Sequence, residues 1–281
     1  MLKLIFTFLI ISFTVMDSYG ALGKTFAGGK SAGTAGIRTV QSDVFSVYNN
    51  QAAIGFQEKT AFGFHAERRF MVEGLDKIQG AFVLPTSSGV FGLSLTYFGN
   101  SNYNERKVGI AYGRKLSENL TLGGQISYLG LNIAEFGQRN TFTFELGVQY
   151  FINPDLLIAS HIYNPLRITL EDFQEEVIPT VIGLGLRYEP LKNVFLMAET
   201  EKDLNQDFRF RFGLDYAMSD LLSVRLGLLT DPASPSLGLG FNVNNLLIDI
   251  SSFYHPVMGF TPHLSIAYYF GSSTSKTDLT D

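Results

Sequence analysis

From about residue 60 to residue 270 the chain alternates between apolar and small or polar residues with a period of two. The clearest stretch sets Phe208, Phe210, Phe212, Leu214 and Tyr216 against Arg209, Arg211, Gly213 and Asp215. Another sets Phe142, Phe144, Leu146, Val148 and Tyr150 against Thr143, Glu145, Gly147 and Gln149. Successive strand side chains point to opposite faces, so each segment has one apolar and one polar or small face. Fourteen such strands are predicted, at 60–70, 77–84, 89–98, 106–116, 120–133, 140–152, 155–163, 177–189, 192–201, 206–217, 220–229, 236–243, 246–254 and 262–270. Most have the length that a tilted membrane-crossing strand needs, about 9–11 residues.

The connections set the expected architecture. Short ones (Pro85 to Ser88, Asn153-Pro154, Pro190-Leu191, Asn244-Asn245) alternate with longer ones (Met71 to Asp76, Gly99 to Glu105, Asn164 to Glu176, Tyr254 to Thr261). That parity predicts an all-β fold: a transmembrane up-and-down antiparallel β-barrel of 14 strands, with tight periplasmic turns and longer extracellular loops. Backbone groups in hydrocarbon must all be paired, and closure achieves this for strands. The apolar faces are then expected to meet outer-membrane lipid and lipopolysaccharide. Tyr97, Phe98, Tyr112, Tyr128, Tyr188, Tyr216 and Tyr268 are expected to form interfacial aromatic bands.

Composition agrees with this reading. The 281 residues are 46% hydrophobic and 14% aromatic, but only 17% charged, against roughly 25% charged in ordinary soluble domains. This excludes intrinsic disorder. The absence of cysteine excludes a disulfide scaffold, a cysteine-ligated metal centre and a lipoprotein anchor on cysteine. The net charge of -5 argues against nucleic-acid binding. Lys3 followed by the apolar run Leu4 to Val15, then Ser18 and Gly20, reads as a signal peptide over residues 1–20, with the mature chain starting at Ala21.

The polar faces define an expected lumen containing Glu67, Glu145, Arg187, Arg209, Arg211, Asp215, Arg225 and Asp249. With both signs present, cross-strand ion pairs are expected, because buried unpaired charge is costly. Glycines at 147, 183, 185, 213, 227, 238 and 240 on the same faces leave space for a plug or a ligand, or relieve crowding.

Residues 21–59 precede the 60–270 barrel. Gly28, Gly29, Gly33 and Gly36 suggest a flexible start, and Ser42 or Asp43 is placed to cap a short helix through Val44, Phe45, Val47 and Tyr48. With Asn49, Asn50, Ala52 and Ile54 following, the segment carries enough apolar side chain to be a plug or hatch in the periplasmic mouth of the barrel, the alternative being a loose periplasmic arm. Residues 271–281 read as a disordered polar periplasmic tail.

The run Gly28 to Gly36, followed by Ser42 to Ile54, resembles the N-terminal signature of the PorV/PorQ group of Bacteroidota outer-membrane proteins. That group is related to the FadL-type fatty-acid transporter barrels. The signature ends in an Asn-Pro-Ala-Gly-Leu box. Asn50 and Ala52 match it, Gln51 replaces the Pro, Ala53 replaces the Gly, and Ile54 replaces the Leu. The resemblance implies a fourteen-stranded barrel with an N-terminal hatch. It also implies an accessory role in type IX protein secretion with translocon subunits as partners. The alternative it implies is a passive channel for hydrophobic small molecules, with such a molecule as ligand.

A catalytic reading is weak. Ser265 shares a strand face with His263, with His65, Glu67 and Asp249 in the neighbourhood, but no nucleophile–base motif is present. The chain is read as non-enzymatic and without a cofactor. His65 and His263 form no metal site on sequence grounds, for want of a clear third ligand. The 164–176 loop, with Arg167 against Glu171, Asp172, Glu175 and Glu176 and with Phe173 among them, is expected to be extracellular and solvated, or to contact a partner or calcium.

Overall fold

The computed structural model describes residues 22–170 and 178–271. Its fourteen strands are β1 Ala61–Arg68, β2 Asp76–Thr86, β3 Gly89–Gly99, β4 Tyr103–Lys115, β5 Leu120–Ile133, β6 Gly137–Asn153, β7 Leu156–Tyr163, β8 Val181–Leu191, β9 Val194–Asp203, β10 Phe208–Ala217, β11 Leu222–Thr230, β12 Ala233–Val243, β13 Leu246–His255 and β14 Gly259–Tyr269. Each pairs antiparallel with the next, and β1 pairs with β14 from Ala61↔Tyr269 to Glu67↔His263, so the sheet closes with no free edge.

Side chains alternate as the sequence predicts, but inside out relative to a soluble protein. Phe62, Phe64, Phe91, Leu93, Phe210 and Phe212 are exposed on the outer face. The inward residues His65, Glu67, Glu145, Arg211 and Asp249 are buried. A closed barrel with an apolar exterior and a polar interior is an outer-membrane barrel. No helix among the described residues is long and apolar enough to cross a membrane.

One rim carries both barrel termini and the turns 87–88, 116–119, 154–155, 192–193, 218–221 and 244–245. The opposite rim is less loop-rich than expected. Its connections at 100–102, 134–136, 231–232 and 256–258 are short, because β4 and β14 begin three residues earlier than the pattern suggested. The pairing Tyr254↔Phe260, with ring centroids 4.9 Å apart, extends the last hairpin. The longest connection is 164–180. Both of its described ends turn inward: Leu170 and Ile178 are buried against Leu22, Leu129, Leu131 and Tyr163. Arg167 is exposed on this rim; Glu171, Asp172, Phe173, Glu175 and Glu176 lie outside the described residues.

Six of the seven expected belt aromatics, Tyr97, Tyr112, Tyr128, Tyr188, Tyr216 and Tyr268, sit on outward positions of their strands. Phe98 is the exception. It falls on the inward parity of β3, where the Arg69 guanidinium lies 4.9 Å from its ring centroid.

Residues 22–60 run through the lumen. Leu22 packs at the opposite rim, where Tyr163 Oη donates to its carbonyl (2.9 Å). The carbonyl of Thr60 accepts from Phe270 N–H at the terminal rim (2.8 Å). Between them lie two short helices, α1 Gly29–Gly33 and α2 Ser46–Asn49, and a 3₁₀ helix Gln51–Phe56. The glycine-rich start is packed inside the barrel. Gly28 and Gly36 take φ of +91° and +76°, which bend the chain on either side of α1, and the neighbouring residues are buried.

The wall glycines are where this segment touches the barrel. Asn50 lies against Gly147, Thr39 against Gly183 and Gly185, Thr34 and Ile37 against Gly213, the Thr34–Ala35 backbone against Gly227, and Gly33 against Gly238. Gly240, like Gly109 on β4, serves the wall itself, giving room to Arg225 and Asp249. A side chain at Gly147 would occupy the position of the Asn50 carboxamide, and one at Gly185 that of the Thr39 hydroxyl. Gly147→Val and Gly185→Val are therefore expected to retain heat-modifiable gel mobility, which reports a folded barrel. Both are expected to expose residues 22–60 to protease, read by limited proteolysis and mass spectrometry.

Candidate functional site: the plug and its contacts with the wall

The plug is built to hold together. Asn49 clamps its two ends: the side-chain Oδ1 accepts from Ala27 N–H (3.0 Å), and Nδ2 donates to the Ala27 carbonyl (3.0 Å). The expected cap at Asp43 acts one turn early. Its carboxylate accepts from Phe45 N–H (2.8 Å), Ser46 Oγ accepts from Asp43 N–H (3.0 Å), and α2 begins only at Ser46. Asn50 Oδ1 caps the 3₁₀ helix by accepting from Ala52 N–H (3.1 Å). The apolar residues Val44, Phe45, Val47, Tyr48 and Ile54 pack on Ala61, Ala81, Val83, Val90, Ala111 and Ala267 of the wall.

Charge fixes the plug in the lumen. Lys24 pairs with Glu145, Arg38 with Glu201, and Lys30 with Asp215 (3.5 Å). Glu145 is the hub of the first group. Besides Lys24, it receives Lys107 Nζ (2.5 Å), Gln125 Nε2 (3.2 Å) and Gln51 Nε2 (3.2 Å), and His161 Nε2 lies 3.1 Å away. Arg211 bridges Glu199 (3.3 Å) and Glu201 (3.1 Å), and Arg209 faces Glu201 in register across β9 and β10. Arg225 bridges Asp215 (3.2 Å) and Asp249 (2.5 Å). Arg187 is half-buried, with its guanidinium 5.5 Å and 5.7 Å from the ring centroids of Phe195 and Phe151.

The structure thus brings the sequence-predicted lumen residues together in groups, not in one cluster. Glu145 stands apart from the Arg211 group, the Asp215–Arg225–Asp249 group and Glu67. The sequence reading missed the plug cations Lys24, Lys30 and Arg38, and the carboxylates Glu199 and Glu201. The latter pair was accessible, since Met197, Glu199 and Glu201 share one parity of β9. His65 stands opposite Ser265 in register, but the serine hydroxyl is engaged elsewhere. Its Oγ accepts from Gly29 N–H (2.9 Å) and donates to Asp249 (3.2 Å), while the His65 nitrogens face Gln79 and His263.

Tyr48 enters the wall itself. Its hydroxyl accepts from Leu95 N–H (2.8 Å), donates to the Gly80 carbonyl (2.7 Å) and lies 2.6 Å from the Leu95 carbonyl. Gly80 and Leu95 are direct partners on β2 and β3. Gly80 falls on the outward parity of β2, so the wall has no lipid-facing side chain at that point. Elsewhere the outer surface has an apolar hollow of about 560 Å³ over Ile158, Ser160, Leu184, Leu186, Ala198 and Phe210. At the terminal rim a polar vestibule of about 700 Å³ reaches Lys30, Asp43, Asp215 and Arg225.

No family model matches the sequence, and no curated protein does. Solved structures do match. The toluene transporter TodX of Pseudomonas putida matches with a TM-score of 0.67 at 11% identity, over 89% of this chain and 100% of that one. The toluene transporter TbuX of Ralstonia pickettii gives 0.66 at 13% identity, over 89% and 99%. A FadL homologue of Pseudomonas aeruginosa gives 0.61 at 13% identity, over 88% and 100%. The chain therefore has the fold of the FadL-type outer-membrane channels.

Two outcomes are expected. Glu145→Ala leaves two buried ammonium groups facing each other, and removal of one partner of a buried ion pair costs about 3–5 kcal/mol. The barrel should remain folded while planar-bilayer conductance rises, as the plug loses its anchor. Burial pushes the Asp43 carboxyl up from 3.8 to about 6, against the pull of Lys30. The seated plug holds a proton there that a released segment would lose, so seating weakens as pH rises from about 4 to 6 and levels off above. Asp43→Asn should abolish that slope, followed as protease accessibility of residues 22–60 against pH.

Proposed function

We propose that the protein is a passive outer-membrane channel for hydrophobic small molecules. The observation that carries this reading is the Tyr48 hydroxyl inserted between Gly80 and Leu95 on β2 and β3. It makes the plug the stopper of a lateral seam as well as of the lumen. An even-stranded barrel of this kind keeps its termini and tight turns in the periplasm, so the 700 Å³ vestibule faces the periplasm. The buried apolar cluster around Leu22, Leu129, Leu131 and Tyr163 then stands at the external mouth. A hydrophobic solute entering there meets Leu22, the start of the plug. Displacement of the plug withdraws Tyr48 and opens the wall toward lipid, so the solute need not cross the charged lumen. The toluene transporters of the same fold support the choice of solute class.

The type IX secretion role implied by the Gly28–Ile54 resemblance is the second reading. One observation favours it: the lumen is filled by the plug and paired charge, as suits a docking body without a solute path.

The test is uptake of radiolabelled toluene and of a long-chain fatty acid into cells of a host lacking such a channel. Wild-type protein should exceed the empty vector for at least one solute. Tyr48→Phe removes hydrogen bonds worth about 1 kcal/mol, which corresponds to roughly a fivefold shift toward the open state, so its uptake should rise. Uptake at vector level for both proteins, with translocon subunits recovered on mild-detergent purification from the native organism, would select the secretion role.

A further inference from the structure

One lumen cluster meets the plug through ring contacts, Phe26 on His263 and Phe45 on His65 (centroids 5.6 Å and 6.2 Å apart). His65 and Glu67 lie on β1, and His263 lies on β14 directly opposite Glu67. All three are buried. We propose that they bind one divalent transition-metal ion of the zinc class at the seam where the barrel closes.

The geometry is that of a ligand set. His65 Nε2 lies 3.3 Å from His263 Nδ1, and His263 Nδ1 lies 3.4 Å from Glu67 Oε2. All three ligand atoms fall within 4.8 Å of one another. Two bonds of about 2.0–2.1 Å meeting at a tetrahedral angle span roughly 3.3–3.4 Å, so the spacing suits a single ion. Two imidazoles and one carboxylate are a zinc-type donor set, and they leave a fourth position open. Gln79 supplies the orienting contact. Its Oε1 accepts from His65 Nδ1 (2.8 Å), which fixes the proton there and leaves the Nε2 lone pair toward the cluster.

His263 can present Nδ1 to an ion because no described residue hydrogen-bonds its other nitrogen, the buried Nε2. No partner at Nε2 opposes a proton there. With a metal on Nδ1, the proton moves to Nε2, and the three atoms that now share one proton share a cation instead. The internal competitor is Lys77, whose Nζ lies 3.0 Å from Glu67 Oε2, while Arg69 holds the other oxygen at 3.3 Å.

The experiment uses the full chain in detergent, stripped with chelator and titrated with Co²⁺. Visible absorption reports tetrahedral coordination, calorimetry reports stoichiometry, and Zn²⁺ displacement reports class. One ion per chain is expected. Glu67→Gln and His263→Gln should abolish binding while retaining heat-modifiable mobility. Gln79→Ala should weaken it about 10–100-fold, the usual effect of losing a supporting contact. Lys77→Met should strengthen it. Absence of saturable Co²⁺ binding in both the wild type and Lys77→Met overturns the proposal. So does binding unchanged in a folded His263→Gln variant. If His263→Gln does not fold, unchanged affinity in both Gln79→Ala and Lys77→Met overturns it equally.

Discussion

A charge shut away from water has to be answered by another charge. In this barrel that requirement links the wall to the segment inside it. Glu145, Glu201 and Asp215 belong to three different strands, and each meets a cation from residues 22–60. Removing the segment would leave these carboxylates to the remaining wall cations and to water. The wall pairs Arg225–Asp249 and Arg211–Glu199 close the account on the wall side. Buried ion pairs add little net stability over well-packed apolar residues, but they fix register, because a misplaced partner is heavily penalised. Here they fix the depth and rotation of a plug that has few regular hydrogen bonds of its own.

The barrel was largely legible in the sequence. A lipid-facing strand has an apolar face with few exceptions, so β5 is predicted at its observed ends and β10 to within two residues. The rims were less legible. Hairpins at the opposite rim continue pairing through residues such as Tyr103 and Phe260 that also suit a loop, and alternation gives no signal for where pairing stops. The lumen was legible in kind but not in partnership. Parity put Arg211 and Arg225 inside, yet their partners depend on stagger between strands and on the plug, which no period reveals. The wall glycines carried the signal that parity lacked, as space on the lumen face. Read with the small residues Thr34, Thr39 and Asn50, they mark a second chain surface pressed against the first.

The same perspective explains the degraded Asn50–Ile54 box. Position 51 opens the 3₁₀ helix, where a proline is readily accommodated. Glutamine at that position brings an amide that donates to the Val47 carbonyl (2.9 Å) and to Glu145, and lies 3.1 Å from His161. The departure from the resembled pattern thus coincides with a specific buried contact. Fold and function separate at this level: the architecture is shared with transporters of low identity, whereas the chemistry around Glu145 and the Tyr48 seam belongs to this chain's own residues.

The path of residues 22–60 bears on how the molecule is made. The segment spans the lumen from Leu22 at one rim to Thr60 at the other, and its side chains fill recesses at the glycine positions. Threading it through a finished cylinder would drag Lys24, Lys30 and Arg38 past apolar and oppositely charged neighbours in turn. The segment precedes β1 in the chain, while β14, which seals the sheet against β1, comes last of the strands. Closing β14 onto β1 around the segment avoids that passage, and residues 22–60 then act as the former on which the cylinder is shaped.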